Sequence, residues 1–77
     1  MNKIYYYYDK EADVLYFSQG KPSRKDESKE ADDDVVLRID PTSGKIKGFT
    51  ILNFSKRNKE HIPLSLPIQG EFTASPK

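Results

Sequence analysis

The pattern of hydrophobic and polar positions predicts four β-strands in this chain. They cover residues 4–8, 14–18, 35–40 and 45–52, where hydrophobic side chains alternate with polar ones or follow one another directly. The first two segments surround an acidic break, and the last two surround a turn that contains proline and glycine. Each pair is typical of a β-hairpin. The sequence therefore predicts a mainly β (α+β) domain, built on a small antiparallel meander of about four strands.

The register of the first hairpin decides which of its side chains share a face. A loop at residues 9–12 pairs Tyr6 with Leu15, and it also pairs Ile4 with Phe17. A slip of one residue would exchange the two faces, because neighbouring side chains in a strand point in opposite directions. The opposite face carries further large side chains: Tyr5, Tyr7, Val14 and Tyr16. These four residues are the interface candidates, and we predict that their face is buried either by a second copy of the chain or by the chain's own residues 62–68.

The second hairpin has the clearest turn in the chain. Its turn begins with a proline and contains Gly44, which can adopt the positive φ of a three-residue loop with a glycine bulge. The resulting register pairs Leu37 with Phe49. It also pairs Val35 with Ile51, so the hydrophobic residues of both strands lie on one face.

The segment between the two hairpins has a different composition. Residues 19–34 contain no hydrophobic residue larger than alanine and carry many charges of both signs. Such a composition does not supply enough hydrophobic surface for packing. We therefore predict a mobile, solvated connection here, with the alternative that part of it extends the end of one strand.

The C-terminal third of the chain predicts one helix and one extended segment. Asn53 or Ser55 can cap a helical turn at residues 56–58, which places a short helix after the fourth strand. Residues 62–68 alternate hydrophobic and polar positions but contain two prolines, which cannot donate to a β-ladder. They therefore predict an edge strand or a packed extended segment, and this segment or the helix should cover one face of the sheet. Residues 69–77 are predicted to form a frayed tail.

Length and composition limit the possible sources of stability. A chain of 77 residues forms a single domain over residues 1–77, with a thin core at about residues 3–68. It has no cysteine and a single histidine, which excludes disulfides and argues against a zinc site. Self-association or binding to another protein is the remaining source of extra stability.

Charge and hydrophobicity indicate the compartment. The net charge of +1 argues against a nucleic-acid partner, which usually requires a clearly basic chain. The longest hydrophobic run is too short to cross a membrane. The N-terminal residues lack the hydrophobic region and the cleavage site of a signal peptide. We therefore expect a cytoplasmic protein without a membrane partner.

Two motifs resemble those of a family of small bacterial proteins that is known only as a domain of unknown function. The hairpin motif of that family is Tyr-Asp-x-Glu-Ala-Asp-x-Leu-Tyr, and residues 8–16 match it. The second motif, Gly-x-x-Ile-Leu-Asn-x-Ser, is matched by residues 48–55, and the whole resemblance covers about residues 4–57. The resemblance implies a small antiparallel sheet with a short helical piece and no established enzymatic activity. Because some relatives are encoded beside small toxin-like proteins, it also implies an antitoxin or partner role.

Acidic residues form the first candidate for chemistry. Asp9, Glu11 and Asp13 have the spacing that begins a calcium-binding loop, but the glycine and the distant glutamate of such a loop are missing. Residues 32–34 are three consecutive aspartates, and adjacent side chains of a strand cannot all converge on one ion. We therefore predict no metal site and no cofactor.

Catalysis is not predicted either. A serine-dependent triad needs a base, and His61 is the only imidazole in the chain. No set of nucleophile, base and orienting group can be assembled around it, so we predict no catalytic residues.

Basic residues provide the last candidate site. Lys56, Arg57 and Lys59, with Lys45 and Lys47 expected at the same end of the sheet, could contact phosphate groups. The leading hypothesis is nevertheless a non-enzymatic interaction protein, either a homo-oligomer or an antitoxin-like partner of another small protein. The alternative hypothesis is a nucleic-acid-binding module that uses the first three of these residues.

Overall fold

The computed structural model describes residues 3–57 and 63–74. These residues form one antiparallel sheet of five strands and one short helix. In chain order the elements are β1 Ile4–Asp9, β2 Val14–Gln19, β3 Glu27–Asp32, β4 Val35–Ile39, β5 Ile46–Leu52 and α1 Phe54–Arg57. The mainly β class with a short helix is thus confirmed. The prediction of four strands is wrong, and the helix follows the fifth strand rather than the fourth.

The strands lie in the order β1-β2-β5-β4-β3, so the sheet is not a simple meander. Strand β5 occupies the centre, where it pairs with β2 on one side and with β4 on the other. The hairpin β1–β2 is therefore joined to the hairpin β4–β5 by the pairing of β2 with β5. A meander would instead have placed β2 beside the next strand in the chain. This arrangement leaves β1 and β3 as the two edges of the sheet.

Strand β3 lies within the segment that was predicted to be a solvated connection. All six of its side chains are exposed, so the strand has no hydrophobic face that a sequence pattern could reveal. Its backbone pairs with β4, and the pairing is interrupted by a register shift between Glu30 and Asp32. Backbone hydrogen bonds to a buried neighbour, rather than side-chain burial, hold this edge in place.

The first hairpin keeps its predicted faces but not its predicted pairs. Tyr6 lies opposite Phe17 rather than Leu15, because Asp9 still belongs to β1 and pairs with Val14. The loop therefore consists of residues 10–13 instead of 9–12. A shift of two residues leaves every side chain on its original face.

The second hairpin agrees with its sequence prediction. Leu37 pairs with Phe49 and Val35 pairs with Ile51, as the turn predicted. Gly44 has a φ of 72°, the left-handed conformation that glycine adopts without strain. Its N–H donates to the carbonyl of Asp40 at 2.8 Å and closes the turn.

The hydrophobic core lies on one face of the sheet. Its buried cluster is formed by Val35, Leu37, Phe49 and Ile51. Leu15 and Phe17 of β2 pack against this cluster, as do Leu66 and Ile68 from the C-terminal segment. Residues 63–68 contain no strand and form an irregular segment whose Leu66 and Ile68 pack on the core, while Ile62 lies outside the described residues. This segment covers the core face of the sheet. The sequence had suggested it as a cover for the opposite face, which carries Tyr5, Tyr7 and Tyr16.

Gly48 allows the first hairpin to join the rest of the sheet. It lies on β5 opposite Ser18 of β2 and Arg38 of β4. A Cβ atom at this position would lie 2.1 Å from the carbonyl oxygen of Phe17 and 2.9 Å from the Cα atom of Ser18. Only glycine permits this approach of two backbones.

Candidate protein-interaction edge

A cluster of polar side chains closes one end of the sheet. The carboxylate of Asp13 accepts hydrogen bonds from the Tyr8 hydroxyl at 2.6 Å, the Ser55 N–H at 3.0 Å and the Ser55 hydroxyl at 2.7 Å. The Asp13 carbonyl also accepts the N–H of Phe54 at 3.0 Å. Asp13 thus links the first hairpin to α1, and its φ of 58° aims the side chain at this helix.

This Asp13 cluster replaces the local cap that the sequence predicted for the helix. The predicted caps were Asn53 and Ser55, but Ser55 lies inside α1 and its N–H is capped by Asp13. The Asn53 side chain instead donates to the carboxylate of Asp34 at 3.3 Å. A cap supplied 42 residues earlier in the chain leaves no local sequence signal.

Hydrogen bonding also sets the protonation of the cluster. The Tyr8 hydroxyl, followed by the Ser55 backbone and side chain, lowers the pKa of Asp13 below its ordinary value. The same bond to Asp13, reinforced by partial desolvation, raises the pKa of Tyr8. Near neutral pH the carboxylate is therefore ionised and the phenol is neutral. Both oxygens of the carboxylate accept hydrogen bonds within the chain. The cluster is therefore explained by its structural role.

Within residues 3–57 and 63–74, the tyrosines that precede Tyr8 form no such side-chain hydrogen bond. Tyr6 is 78% exposed and Tyr7 is 63% exposed, and they lie on opposite faces of β1. Tyr7 stacks on Tyr16 with 6.2 Å between the ring centroids, and Tyr5 lies on the same face. Among the predicted interface residues Val14 differs, because it is buried within the chain at 8% exposure. The available surface is therefore the tyrosine-rich strand β1 itself.

Among the described residues, the outward backbone groups of β1 have no hydrogen-bonding partner. The carbonyl of Lys3 accepts the N–H of Gly20 at 2.7 Å, which fixes the alternation of the β1–β2 ladder. In an antiparallel ladder every second residue bonds to the neighbour, and the residues between direct their N–H and C=O groups away from it. The residues that point outward are Ile4, Tyr6 and Tyr8. We call these outward groups, together with the side chains of the neighbouring residues Tyr5 and Tyr7, the free β1 edge.

The basic candidates that the structure describes do not converge on one surface. Lys56 is exposed on α1, but the Arg57 guanidinium donates to the Asp33 carbonyl at 2.8 Å. Lys45 and Lys47 lie at the start of β5, which is the end of the sheet opposite α1, so their predicted position is wrong. Lys59 lies outside the described residues, as does His61.

One buried ionic contact was not predicted. The Asp26 side chain is 3% exposed and lies 3.3 Å from the Lys47 ammonium and 3.7 Å from the Arg38 Nε atom. The Ser23 N–H, and then Lys47, lower the pKa of this carboxyl against the opposing effect of burial. The contact holds the loop before β3 against the sheet. The sequence of the polar segment 19–34 did not indicate a buried aspartate, because Asp26 looks no different in sequence from the other charged residues around it.

The acidic residues of the first turn form different hydrogen bonds. Asp9 accepts the N–H of Ala12 at 3.1 Å, whereas Asp13 bonds to Tyr8 and Ser55. Within residues 3–57 and 63–74, no group of three acidic or imidazole side chains is placed to hold a metal ion. Over the same residues, no helix combines the length and the hydrophobicity needed to cross a bilayer.

The chain matches one family model. The model is described as "Protein of unknown function (DUF2283)" and covers residues 6–55, more than half of the chain. Those residues include Tyr8 and Ser55, whose side chains bond to the Asp13 carboxylate, as well as β2 to β5. No curated protein and no solved structure matches the chain significantly.

Proposed function

We propose that this chain, which belongs to the DUF2283 family of proteins of unknown function, is a non-enzymatic protein-interaction module. Its binding surface is the free β1 edge. The partner is either a second copy of the chain or another small protein, as in an antitoxin and its toxin. The observation that carries the proposal is the combination of an unpaired strand edge with exposed tyrosines on both of its faces.

The chemistry of this edge favours a protein partner. Unpaired N–H and C=O groups of an edge strand are a template for another strand, and soluble proteins usually protect such edges with charges, prolines or bulges. From Ile4 to Tyr8 the strand has no charge and no proline. Tyrosine supplies a large contact area with few rotatable bonds, and it is enriched where proteins meet. Left without a partner, this edge would be prone to aggregation.

Photo-crosslinking in the native host tests the proposal. Tyr6 is replaced by p-benzoylphenylalanine, and Lys29 on β3 is replaced in the same way as a control. The two positions are matched, because both are exposed and both point to the core face of the sheet, at opposite edges. We expect a specific crosslinked band from position 6, whose mass identifies a second copy or another small protein, and none above background from position 29. Equal labelling at both positions, or none at position 6, would contradict the proposal.

The alternative is a nucleic-acid-binding module that uses Lys56, Arg57 and Lys59. The contact between Arg57 and the Asp33 carbonyl speaks against it, since this guanidinium is already engaged within the chain. Oligonucleotide binding measured across a salt series separates the two proposals. Phosphate contacts produce an affinity that falls steeply with salt concentration, whereas the interaction module should bind neither duplex nor single strands at physiological salt.

A further inference from the structure

We propose that the free β1 edge pairs with the same edge of a second copy, antiparallel and with Tyr6 opposite its own symmetry mate. The inference rests on the proposed function and specifies the occupant and the register. The product is a two-fold symmetric dimer in which two five-stranded sheets become one continuous sheet. It follows from the hydrogen-bonding groups, the charges and the side chains of β1, which are considered in turn.

The outward hydrogen-bonding groups select one register. Ile4, Tyr6 and Tyr8 are equally spaced, so an antiparallel copy centred on Tyr6 brings Ile4 opposite Tyr8 of the second copy at both ends. All outward N–H and C=O groups of these three residues are then paired. A copy shifted by two residues in either direction leaves one of the three without a partner within the strand. The centred register therefore forms the most hydrogen bonds.

Charge complementarity supports the same register. It places Lys3 of each copy opposite Asp9 of the other, at both ends of the paired strands. Between these two positions β1 carries no charge, so the two copies do not repel each other. Cross-strand pairs of opposite charge stabilise a sheet, and like charges in the same position destabilise it. Like charges at both ends of the strand would instead repel in this register.

The aromatic side chains also fit this arrangement. On the second face, Tyr5 of one copy lies beside Tyr7 of the other, and this Tyr7 already stacks on Tyr16 of its own chain. On the core face, the two Tyr6 side chains lie side by side. Tyr6, the most exposed of these tyrosines at 78%, therefore becomes the centre of the interface. Aromatic side chains that face each other on neighbouring strands stabilise a sheet, and pairs between two copies do so in the same manner as pairs within one chain.

The β1 edge is accessible for this pairing. Five of the six residues of β1 are exposed, and β2 is its only strand neighbour in the described part of the chain. An interface of one strand from each copy is small, so we expect a reversible dimer with a dissociation constant on the order of micromolar. Such an affinity makes the dimer measurable by sedimentation across an ordinary concentration range.

Sedimentation equilibrium of charge variants tests both the occupant and the register. The purified wild-type chain should form a dimer at concentrations up to about 100 µM. Lys3→Glu and Asp9→Lys should each weaken dimerisation about tenfold, because each variant places like charges together at both ends. An equimolar mixture of the two variants should recover wild-type affinity, since the heterodimer has opposite charges at both ends. Asp9→Asn is the control for the turn, because an amide oxygen can still accept the Ala12 N–H, and it should weaken the dimer less than Asp9→Lys.

The outcomes separate this inference from the proposed function. A wild-type chain that stays monomeric at the highest concentration, or a mixture that binds no better than either variant, would overturn the inference. If position 6 still crosslinks to a different protein in cells, the interaction proposal stands without the second copy.

A further pair of variants tests backbone pairing directly. Tyr6→Pro removes the outward N–H and should abolish the dimer, whereas Tyr6→Thr keeps the N–H and should retain part of it. Circular dichroism of both variants tests that they remain folded, and equal loss of the dimer in both folded variants would contradict a paired edge.

Discussion

Strand β1 presents Ile4 and four tyrosines before its first charged residue, whereas β3, at the opposite edge of the sheet, carries four charged side chains and two small ones. Strand β3 also carries a register shift near Ala31, which interrupts its ladder. Charges and bulges are the usual protection of an exposed edge. In the described part of the chain, β3 therefore carries such protection, and β1 between Ile4 and Tyr8 carries none.

The difference between the edges does not arise from burial. A single row of side chains crosses the core face from one edge to the other, through Tyr6, Phe17, Phe49, Leu37 and Lys29. Its central members form the core, and both of its end members are exposed. Folding alone would accept a polar side chain at either end. A tyrosine at one end and a lysine at the other thus indicate different roles for the two edges.

The largest expected effect follows from breaking the sheet between its two edges. Gly48→Ala places a methyl group 2.1 Å from the Phe17 carbonyl, so the β2–β5 ladder must open. We expect a loss of about 2 kcal/mol or more in the free energy of unfolding. Urea denaturation measures it. Gly70→Ala is the matched control, because its nearest neighbour would be 3.5 Å away in the Phe72 ring, and a change above about 0.5 kcal/mol there would show that the assay is not specific.

A smaller effect is expected at the turn that joins the two central strands. Gly44 has open space around its missing side chain but a φ of 72°, so substitution costs backbone strain rather than a clash. Gly44→Val should destabilise the fold by about 1 kcal/mol. Gly44→Asn should cost less, since asparagine tolerates the left-handed conformation. Equal thermal stability of all three proteins would refute the positive φ at this turn.

Acid and alkaline stability should depend on the Asp13 cluster beside β1. The lowered pKa of Asp13 means that its contribution is complete above its ordinary pKa of 3.8 and is lost as the pH falls through the lower folded-state value. The raised pKa of Tyr8 has the opposite sign, so its contribution is complete below pH 10.0 and is lost at higher pH. Asp13→Asn should flatten both ends of the curve of urea midpoint against pH. An unchanged acid slope would assign the acid sensitivity to Asp26, whose pKa is also lowered.

The smallest effect on stability is expected from giving β1 the chemistry of β3. Tyr6→Lys replaces an exposed side chain, so the free energy of unfolding of the monomer should change by no more than about 0.5 kcal/mol. Association should nevertheless be lost, because two lysines would face each other at the centre of the paired edge. Thermal unfolding at low concentration and light scattering at high concentration measure the two quantities separately. A variant that still associates would show that the free β1 edge is not the binding surface.

The sequence predicted the elements whose side chains face the core, and it missed those held by other contacts. Strand β5 and its register with β4 were predictable, since alternation and Gly44 agreed. Strand β3 was not, because all of its side chains are exposed. The position of β5 between β2 and β4 was also unpredictable, since the close backbone approach at Gly48 has no periodic signature. Tyr5, Tyr7 and Tyr16 were recognised as interface candidates, but Tyr6 was assigned to the core face. It lies on that face, yet at the edge of the sheet, where it is 78% exposed, and the sequence does not show which strand forms the edge.

Amide hydrogen exchange at β1 tests the central claim most directly, because it observes the outward N–H groups themselves. At high protein concentration the amides of Tyr6 and Tyr8 should be protected, and dilution should make them exchange rapidly. The amide of Tyr7, which bonds to β2, should remain protected throughout, as an internal control. Rapid exchange of Tyr6 and Tyr8 at every concentration, with or without a partner protein, would contradict the account and leave β1 an ordinary free edge.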